Sequence, residues 1–131
     1  MSSLTFHRAT LAVVILALCG FSGCATPVGY TSQPLQRHDR DTTYRIDDHD
    51  SGFTITVYYS RYQFIPESDA VNAAGRSALL SIAYDISESR GRPIEPINEQ
   101  RIKISMGRNG FSGTTSWSGT VKVFYKGAKQ Q

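Results

Sequence analysis

The chain of 131 residues is 40% hydrophobic and 19% charged, and its 14 Lys and Arg residues outnumber 11 Asp and Glu residues. This length suits one domain at most, and the apolar content excludes wholesale disorder. A net charge of +3 is too small to indicate a nucleic-acid-binding protein. The composition therefore predicts one small globular domain with no nucleic-acid partner.

The N-terminal segment has the pattern of a secretory signal peptide. His7 and Arg8 precede an apolar run over residues 9–18. Ten residues in a helix rise about 15 Å, half the hydrocarbon thickness of a bilayer, so the run is too short for a transmembrane helix. A buried core helix is the alternative, but the run has no amphipathic period and directly follows a basic residue. Residues 1–23 therefore predict a cleaved signal peptide.

The end of this segment, Phe21-Ser22-Gly23-Cys24, resembles the lipobox of bacterial lipoproteins, in which small residues precede a cysteine. The resemblance implies a diacylglyceryl group on the Cys24 sulfur and cleavage between Gly23 and Cys24 by the lipoprotein signal peptidase. Phe21 departs from the leucine that the class prefers there. Ala25, rather than Asp, follows the cysteine, which by the same resemblance implies the inner leaflet of the outer membrane, facing the periplasm.

The mature chain would keep no free thiol, because Cys19 leaves with the signal peptide and Cys24 carries lipid. We therefore expect no disulfide, no cysteine-ligated metal and no thiol catalysis. Cleavage also removes Arg8, which leaves 13 basic and 11 acidic residues and a net charge of +2. Several acyl chains on one residue anchor a protein far more firmly than a single chain. The covalent lipid is thus the only expected cofactor.

Composition divides the remainder into a tether, a body and a tail. Residues 24–43 contain two prolines, one glycine and many small polar residues without a sustained period, which predicts a flexible tether. The globular α+β domain is predicted over residues 44–126. Residues 127–131 are predicted to form a disordered tail.

The first predicted strand covers residues 53–64, in which β-branched and aromatic residues alternate with polar ones. Residues 44–46 extend this strand or form a short strand before it. A helix is predicted over residues 68–89, with Ser68 as its N-cap and Gly91 beyond its end. Ala74, Gly75 and Ala78 lie at the centre of its apolar face, so we expect this helix to approach the sheet closely.

Two further strands are predicted at residues 102–106 and 117–125, with a turn at Arg108-Asn109-Gly110. The register of such a hairpin places Ile104 on the same side as Gly119. The fold class is therefore α+β, a β-α-β-β domain in which one helix packs on a three- to four-stranded, mostly antiparallel sheet. Two spatial orders remain open: the third strand lies between the first and second, or the first strand lies beside the second.

An acidic segment over residues 38–50 holds five aspartates and two histidines. Weak candidates for a metal site share its last four positions: Asp47, Asp48, His49 and Asp50. Oxygen ligands suit Ca²⁺ or Mg²⁺, and imidazole suits Zn²⁺ or Cu²⁺. No calcium-loop spacing is present, however, and arginines interleave with the acids. A solvated turn before the first strand is the favoured interpretation, so we expect no metal.

Catalytic patterns are also missing from the sequence. The predicted body has His49 as its only histidine, its serines lie outside any nucleophile-elbow pattern, and its glycines lack a phosphate-binding spacing. We therefore expect a protein that is not an enzyme.

Two surfaces are candidate partner-binding sites. One is the second face of the first strand, with Tyr58, Tyr62 and Phe64, accompanied by Phe124 on the third strand; the alternative is that a loop, the preceding polypeptide or a bulge covers these aromatics. The other is a second apolar stripe on the helix, which consists of Ala73, Leu80 and Tyr84. A partner protein or a second copy of the chain would cover this stripe, unless the tether does so.

These features predict a lipid-anchored protein of the bacterial cell envelope. Its periplasmic domain is expected to serve as a binding or structural module for another envelope protein, or to self-associate. The alternative is a module that binds peptidoglycan or another glycan, or inhibits a wall-degrading enzyme, through the aromatic face of the sheet.

Overall fold

The computed structural model describes residues 33–128. One helix lies on a five-stranded sheet in the order β1-β2-β3-β5-β4, and all neighbouring strands are antiparallel. The elements are β1 (Gln36–Arg37), β2 (Thr42–His49), β3 (Gly52–Tyr62), α1 (Ser68–Ser89), a 3₁₀ turn (Glu99–Arg101), β4 (Lys103–Asn109) and β5 (Thr114–Phe124). The predicted signal peptide, the lipobox with Gly23 and Cys24, and residues 24–32 and 129–131 lie outside the described residues.

The predicted α+β class is confirmed, and the sheet has five strands rather than the predicted three to four. The three predicted strands correspond to β3, β4 and β5, and β5 lies between the other two. The structure thus selects the order in which the third strand is central. Ile104 lies opposite Gly119, as the hairpin register predicted.

The sheet begins before residue 44, so the prediction of a tether through residue 43 is wrong for its last part. Gln36 of β1 pairs with Tyr44 of β2. Between these strands the Asp39 carboxylate accepts hydrogen bonds from the Asp41 backbone N–H at 2.8 Å and from the Thr42 hydroxyl at 3.1 Å. The short polar residues that suggested a linker therefore build a turn, and residues 44–46 belong to a separate strand.

The helix has the predicted bounds, but Ser68 is its first helical residue and not its N-cap. Glu67 occupies the cap position without a side-chain hydrogen bond, and Asp69 provides negative charge in the first turn. At the other end Gly91 takes a positive φ of 60° and donates its N–H to the Glu88 carbonyl at 2.9 Å. A glycine suits this position because the left-handed conformation strains other residues.

The core lies between α1 and one face of the sheet. Its centre is Trp117, whose ring packs against Gly75 of the helix. The close approach that the small helix residues predicted is confirmed at Gly75. Ala128, predicted to lie in the disordered tail, packs against this core, and its N–H donates to the Tyr125 carbonyl at 3.1 Å.

Candidate binding surfaces

One end of the sheet carries a cluster of exposed apolar side chains, which we call the apolar end. Its members are largely or fully exposed: Tyr62 (66%), Phe64 (87%), Ile65 (69%) and Phe111 (103%). β3 ends at Tyr62 opposite Thr114, the first residue of β5, and residues 110–113 form the adjoining turn. This geometry places the segment after β3 beside the β4–β5 turn.

The base of the apolar end is held by several hydrogen bonds. The Gln63 N–H donates to the Gly113 carbonyl at 3.0 Å, and the Gln63 side-chain oxygen accepts from the Thr115 hydroxyl at 3.0 Å. Gly113 has a φ of 67°, and a Cβ atom there would lie 2.9 Å from the Tyr62 ring. A surface depression of about 320 Å³ lies at this end, with Tyr59 and Val71 among its lining residues. The exposed side chains therefore project from an ordered base.

Sequence reasoning identified Tyr62 and Phe64 but missed Ile65 and Phe111. Ile65 precedes Pro66, and Phe111 lies within a Gly-rich turn, so neither belongs to a periodic pattern. A large apolar residue in a turn is itself a signal, because turn positions are normally exposed.

Tyr58 is separated from this end and belongs to a polar face of the sheet. We call the sheet surface opposite α1 the open face. There Tyr58 lies between Thr43 and Ser118 in register, and Ser105 follows on the next strand. A depression of about 390 Å³ includes Tyr58 and several hydroxyl side chains in its lining. The Tyr58 hydroxyl accepts a hydrogen bond from the Arg45 guanidinium at 3.4 Å.

The predicted aromatic surface is therefore not one continuous patch. Phe124 lies on the open face six residues along β5 from Ser118, the partner of Tyr58, or roughly 20 Å away. The Nζ atom of Lys122 lies 5.1 Å from the Phe124 ring centroid. Aromatic side chains thus occupy three places: the apolar end, the middle of the open face and its opposite end.

The second helix stripe is discontinuous as well. Leu80, predicted to be a partner-binding residue, is partly buried and packs against the core. Tyr84 is 47% exposed, and Ala73, which lies about three helical turns earlier, is also exposed. Because Leu80 packs against the core, this surface has one large exposed apolar side chain, that of Tyr84, rather than a continuous stripe.

The acidic segment takes part in structural contacts. Asp48 forms a two-pronged ion pair with Arg90, at 2.6 Å and 3.3 Å. Hydrogen bonds from this guanidinium to Asp48 and to the Tyr125 hydroxyl raise the pKa of Arg90 above its usual value. Asp47 lies 4.0 Å from Arg45. Across residues 33–128, no group of three or more His, Cys, Asp or Glu side chains is arranged to hold a metal ion.

His49 makes the contact that comes nearest to a catalytic arrangement. Its Nε2 atom lies 3.0 Å from the Thr54 hydroxyl. A nucleophile–base pair also needs a group that orients the second ring nitrogen. No hydrogen bond to that nitrogen occurs among the residues that the structure describes.

No protein-family model, curated protein or solved structure matches the chain. In the described part of the chain, no helix combines the length and apolar content that crossing a bilayer requires.

Proposed function

We propose that this protein is a lipid-anchored component of the bacterial cell envelope whose α+β domain binds another envelope protein through the apolar end. The observation that carries the proposal is the exposure of Tyr62, Phe64, Ile65 and Phe111 at one end of the sheet. Clustered large apolar side chains on a surface are typical of interaction sites, whereas single ones are common everywhere.

The apolar end has the composition of a protein interface. Aromatic side chains are enriched at the centres of such interfaces, and burying one large apolar side chain contributes about 1.5–3 kcal/mol. The hydrogen bonds of Gln63 hold the base in place, so the partner need not order this segment when it binds. We expect the partner protein to have a groove that accepts Phe64 and Phe111 together.

The lipid anchor in this proposal depends on the resemblance of residues 21–24 to a lipobox. If Cys24 is lipidated, only residues 25–35 separate the anchor from β1, because the sheet begins at Gln36. Eleven residues span at most about 40 Å when fully extended. The partner is therefore expected to lie at or near the same membrane.

Site-specific crosslinking in intact cells tests the choice of surface. A photoreactive residue at position 64 or 111 should give a discrete crosslinked protein. The same residue at Ser77, on the exposed side of α1, serves as the control and should give none. Crosslinks to lipid alone from positions 64 and 111, or a stronger protein crosslink from Tyr84, would contradict the assignment of this surface.

A second candidate function is recognition of a glycan by the open face. It is favoured by the depression around Tyr58, since an aromatic ring among hydroxyl groups suits the apolar and polar faces of a sugar. Retention of the purified full chain on peptidoglycan tests it. Tyr58→Ala should abolish retention, while Tyr62→Ala should not, because Tyr62 lies outside this depression. Equal retention of wild type and Tyr58→Ala would exclude glycan recognition at Tyr58.

A further inference from the structure

Three cationic side chains surround a second depression on the open face, at the end away from the apolar end. The depression has a volume of about 390 Å³, and its cationic lining residues are Arg101, Lys103 and Lys122. Thr54, Thr120 and Phe124 complete most of the lining, which contains no acidic residue. We call this group the cationic depression.

The sheet register brings these cations together from separate positions in the sequence. Lys103 of β4 lies opposite Thr120 of β5, and Lys122 is two residues further along β5 on the same face. Diagonal neighbours of this kind lie about 7–8 Å apart, and their β-carbons are somewhat closer. Arg101 ends the 3₁₀ turn, and Ile102 separates it from β4. The three side chains therefore line one depression from β5, from the edge strand β4 and from the turn before β4.

The ion pairs identified within residues 33–128 involve other cations. Elsewhere in residues 33–128, Arg45, Arg76 and Arg90 are paired with acidic side chains, and Arg90 is held by two contacts. None of these ion pairs involves Arg101, Lys103 or Lys122. The Lys122 Nζ atom instead lies 5.1 Å from the ring centroid of Phe124.

Two acidic side chains lie in the neighbourhood. Asp47 is the β2 partner of Thr54, and its nearest basic contact is Arg45. Glu95 lines a smaller, adjoining hollow that shares Arg101, Lys122 and Phe124 with the cationic depression. Neither acidic residue lines the cationic depression itself, and its charged lining residues are all basic.

We propose that the cationic depression binds a phosphate ester. A guanidinium group and two ammonium groups match a compact oxyanion of charge −1 to −2, since Arg offers a planar fork and Lys offers point charges. Thr120 adds a hydroxyl group, which is shared with Thr56 at 3.0 Å. Phe124 supplies an apolar surface for the carbon skeleton that carries the phosphate. A phosphorylated sugar and the headgroup of a phospholipid share this chemistry.

Titration of the ¹⁵N-labelled full chain, purified in detergent, tests the proposal. The probes are glucose 6-phosphate, glycerol 3-phosphate and, for comparison, glucose and acetate. Both phosphate esters should shift the amide resonances of residues 101–103 and 120–124, with saturation at millimolar concentration or below. Tighter binding of glucose 6-phosphate would assign the ligand to sugar phosphates, and tighter binding of glycerol 3-phosphate would assign it to lipid headgroups.

Two arginine variants provide a matched comparison. Arg101→Gln should weaken binding of the phosphate esters at least tenfold. Arg108→Gln removes the same charge from the far end of β4 and should change binding less than twofold. An equal loss in both variants would show a general charge effect and overturn the proposal, as would equal shifts with acetate or no shifts at 20 mM phosphate ester.

Phosphate binding at the cationic depression can also be distinguished from partner binding at the apolar end. Lys103→Gln with Lys122→Gln should keep the urea midpoint of wild type, because both side chains are exposed, while thermal stabilisation by glucose 6-phosphate disappears. Phe64→Ser with Phe111→Ser should bind phosphate esters normally. Loss of phosphate binding in that second variant would contradict a site confined to the cationic depression.

Discussion

The Trp117 ring occupies the space in which Gly75 would carry a side chain: a Cβ atom at Gly75 would lie 2.3 Å from Trp117 Cδ2. On the strand side, a Cβ atom at Gly119 would lie 2.2 Å from Trp117 Cη2. The largest buried side chain is thus enclosed by two glycines, one from α1 and one from β5. Glycine costs a helix interior about 1 kcal/mol relative to alanine, and here the close contact with an aromatic ring offsets that cost.

Gly75→Ala should therefore destabilise the domain by about 2 kcal/mol, although alanine favours the helix. The added methyl group meets the rigid ring of Trp117 and forces the helix away from the sheet. Urea denaturation followed by circular dichroism measures the change. Ser77→Ala, on the exposed side of the same helix, should change the free energy of unfolding by less than about 0.5 kcal/mol. Trp117→Phe should partly rescue Gly75→Ala, and additive losses in the double variant would argue against a direct clash.

Asn72 should stabilise the folded domain through its hydrogen bond with the Trp117 ring. Its Oδ1 atom accepts a hydrogen bond from Trp117 Nε1 at 3.0 Å. Asn72→Leu leaves this buried N–H without an acceptor and should cost about 1–3 kcal/mol. Asn72→Asp keeps an acceptor and should cost less. The chain has a single tryptophan, so its fluorescence reports this environment directly. Equal stability of the Leu and Asp variants would show that the hydrogen bond to Trp117 does not contribute to the free energy of unfolding.

Asp39 should make stability depend on acidic pH. Burial alone would raise the pKa of Asp39, but hydrogen bonds from Asp41 and Thr42 outweigh it and lower this pKa below its usual value. A folded-state pKa below the unfolded value stabilises the protein above about pH 4, and this contribution disappears as the pH falls through the folded-state pKa. Because the side chain is exposed, the effect should stay below about 1 kcal/mol.

Unfolding of wild type and Asp39→Asn between pH 6 and pH 2.5 measures that contribution. The variant should be less stable at pH 6, and the difference from wild type should shrink toward pH 2.5. Asp85→Asn, on the exposed side of α1, controls for the loss of a carboxyl group elsewhere. A constant difference across this pH range would show that Asp39 does not act through its charge.

The proposed lipid anchor predicts different behaviour for the two cysteines. Cys24→Ser should release the protein from the membrane fraction, because the sulfur that accepts the lipid is gone. Cys19→Ser should leave membrane association unchanged, since Cys19 lies within the predicted signal peptide. Globomycin, which blocks the lipoprotein signal peptidase, should cause a longer precursor to accumulate. Membrane retention of Cys24→Ser, or no precursor after globomycin, would exclude the lipoprotein assignment.

Local sequence patterns determined the helix and three of the five strands, β3, β4 and β5. The period of 3.6 residues and the flanking Pro66 and Gly91 set the bounds of α1, and strict alternation defined β3 and β5. Small residues at the centre of the helix face also predicted the close approach at Gly75. These features depend on neighbours a few positions apart in the chain, so the sequence displays them directly.

Only the tertiary structure determines which residues come together when distant segments of the chain pair. β1 and the start of β2 lack a periodic pattern and exist because Asp39 forms a turn that lets Gln36 reach Tyr44. The apolar end forms because the β4–β5 turn lies beside the chain that leaves β3. The cationic depression arises from strand register, which sets residues far apart in the sequence side by side. Pairing between β3 and β5, such as that of Thr54 with Lys122, depends on the packing of the whole sheet, and no pattern within either strand encodes it.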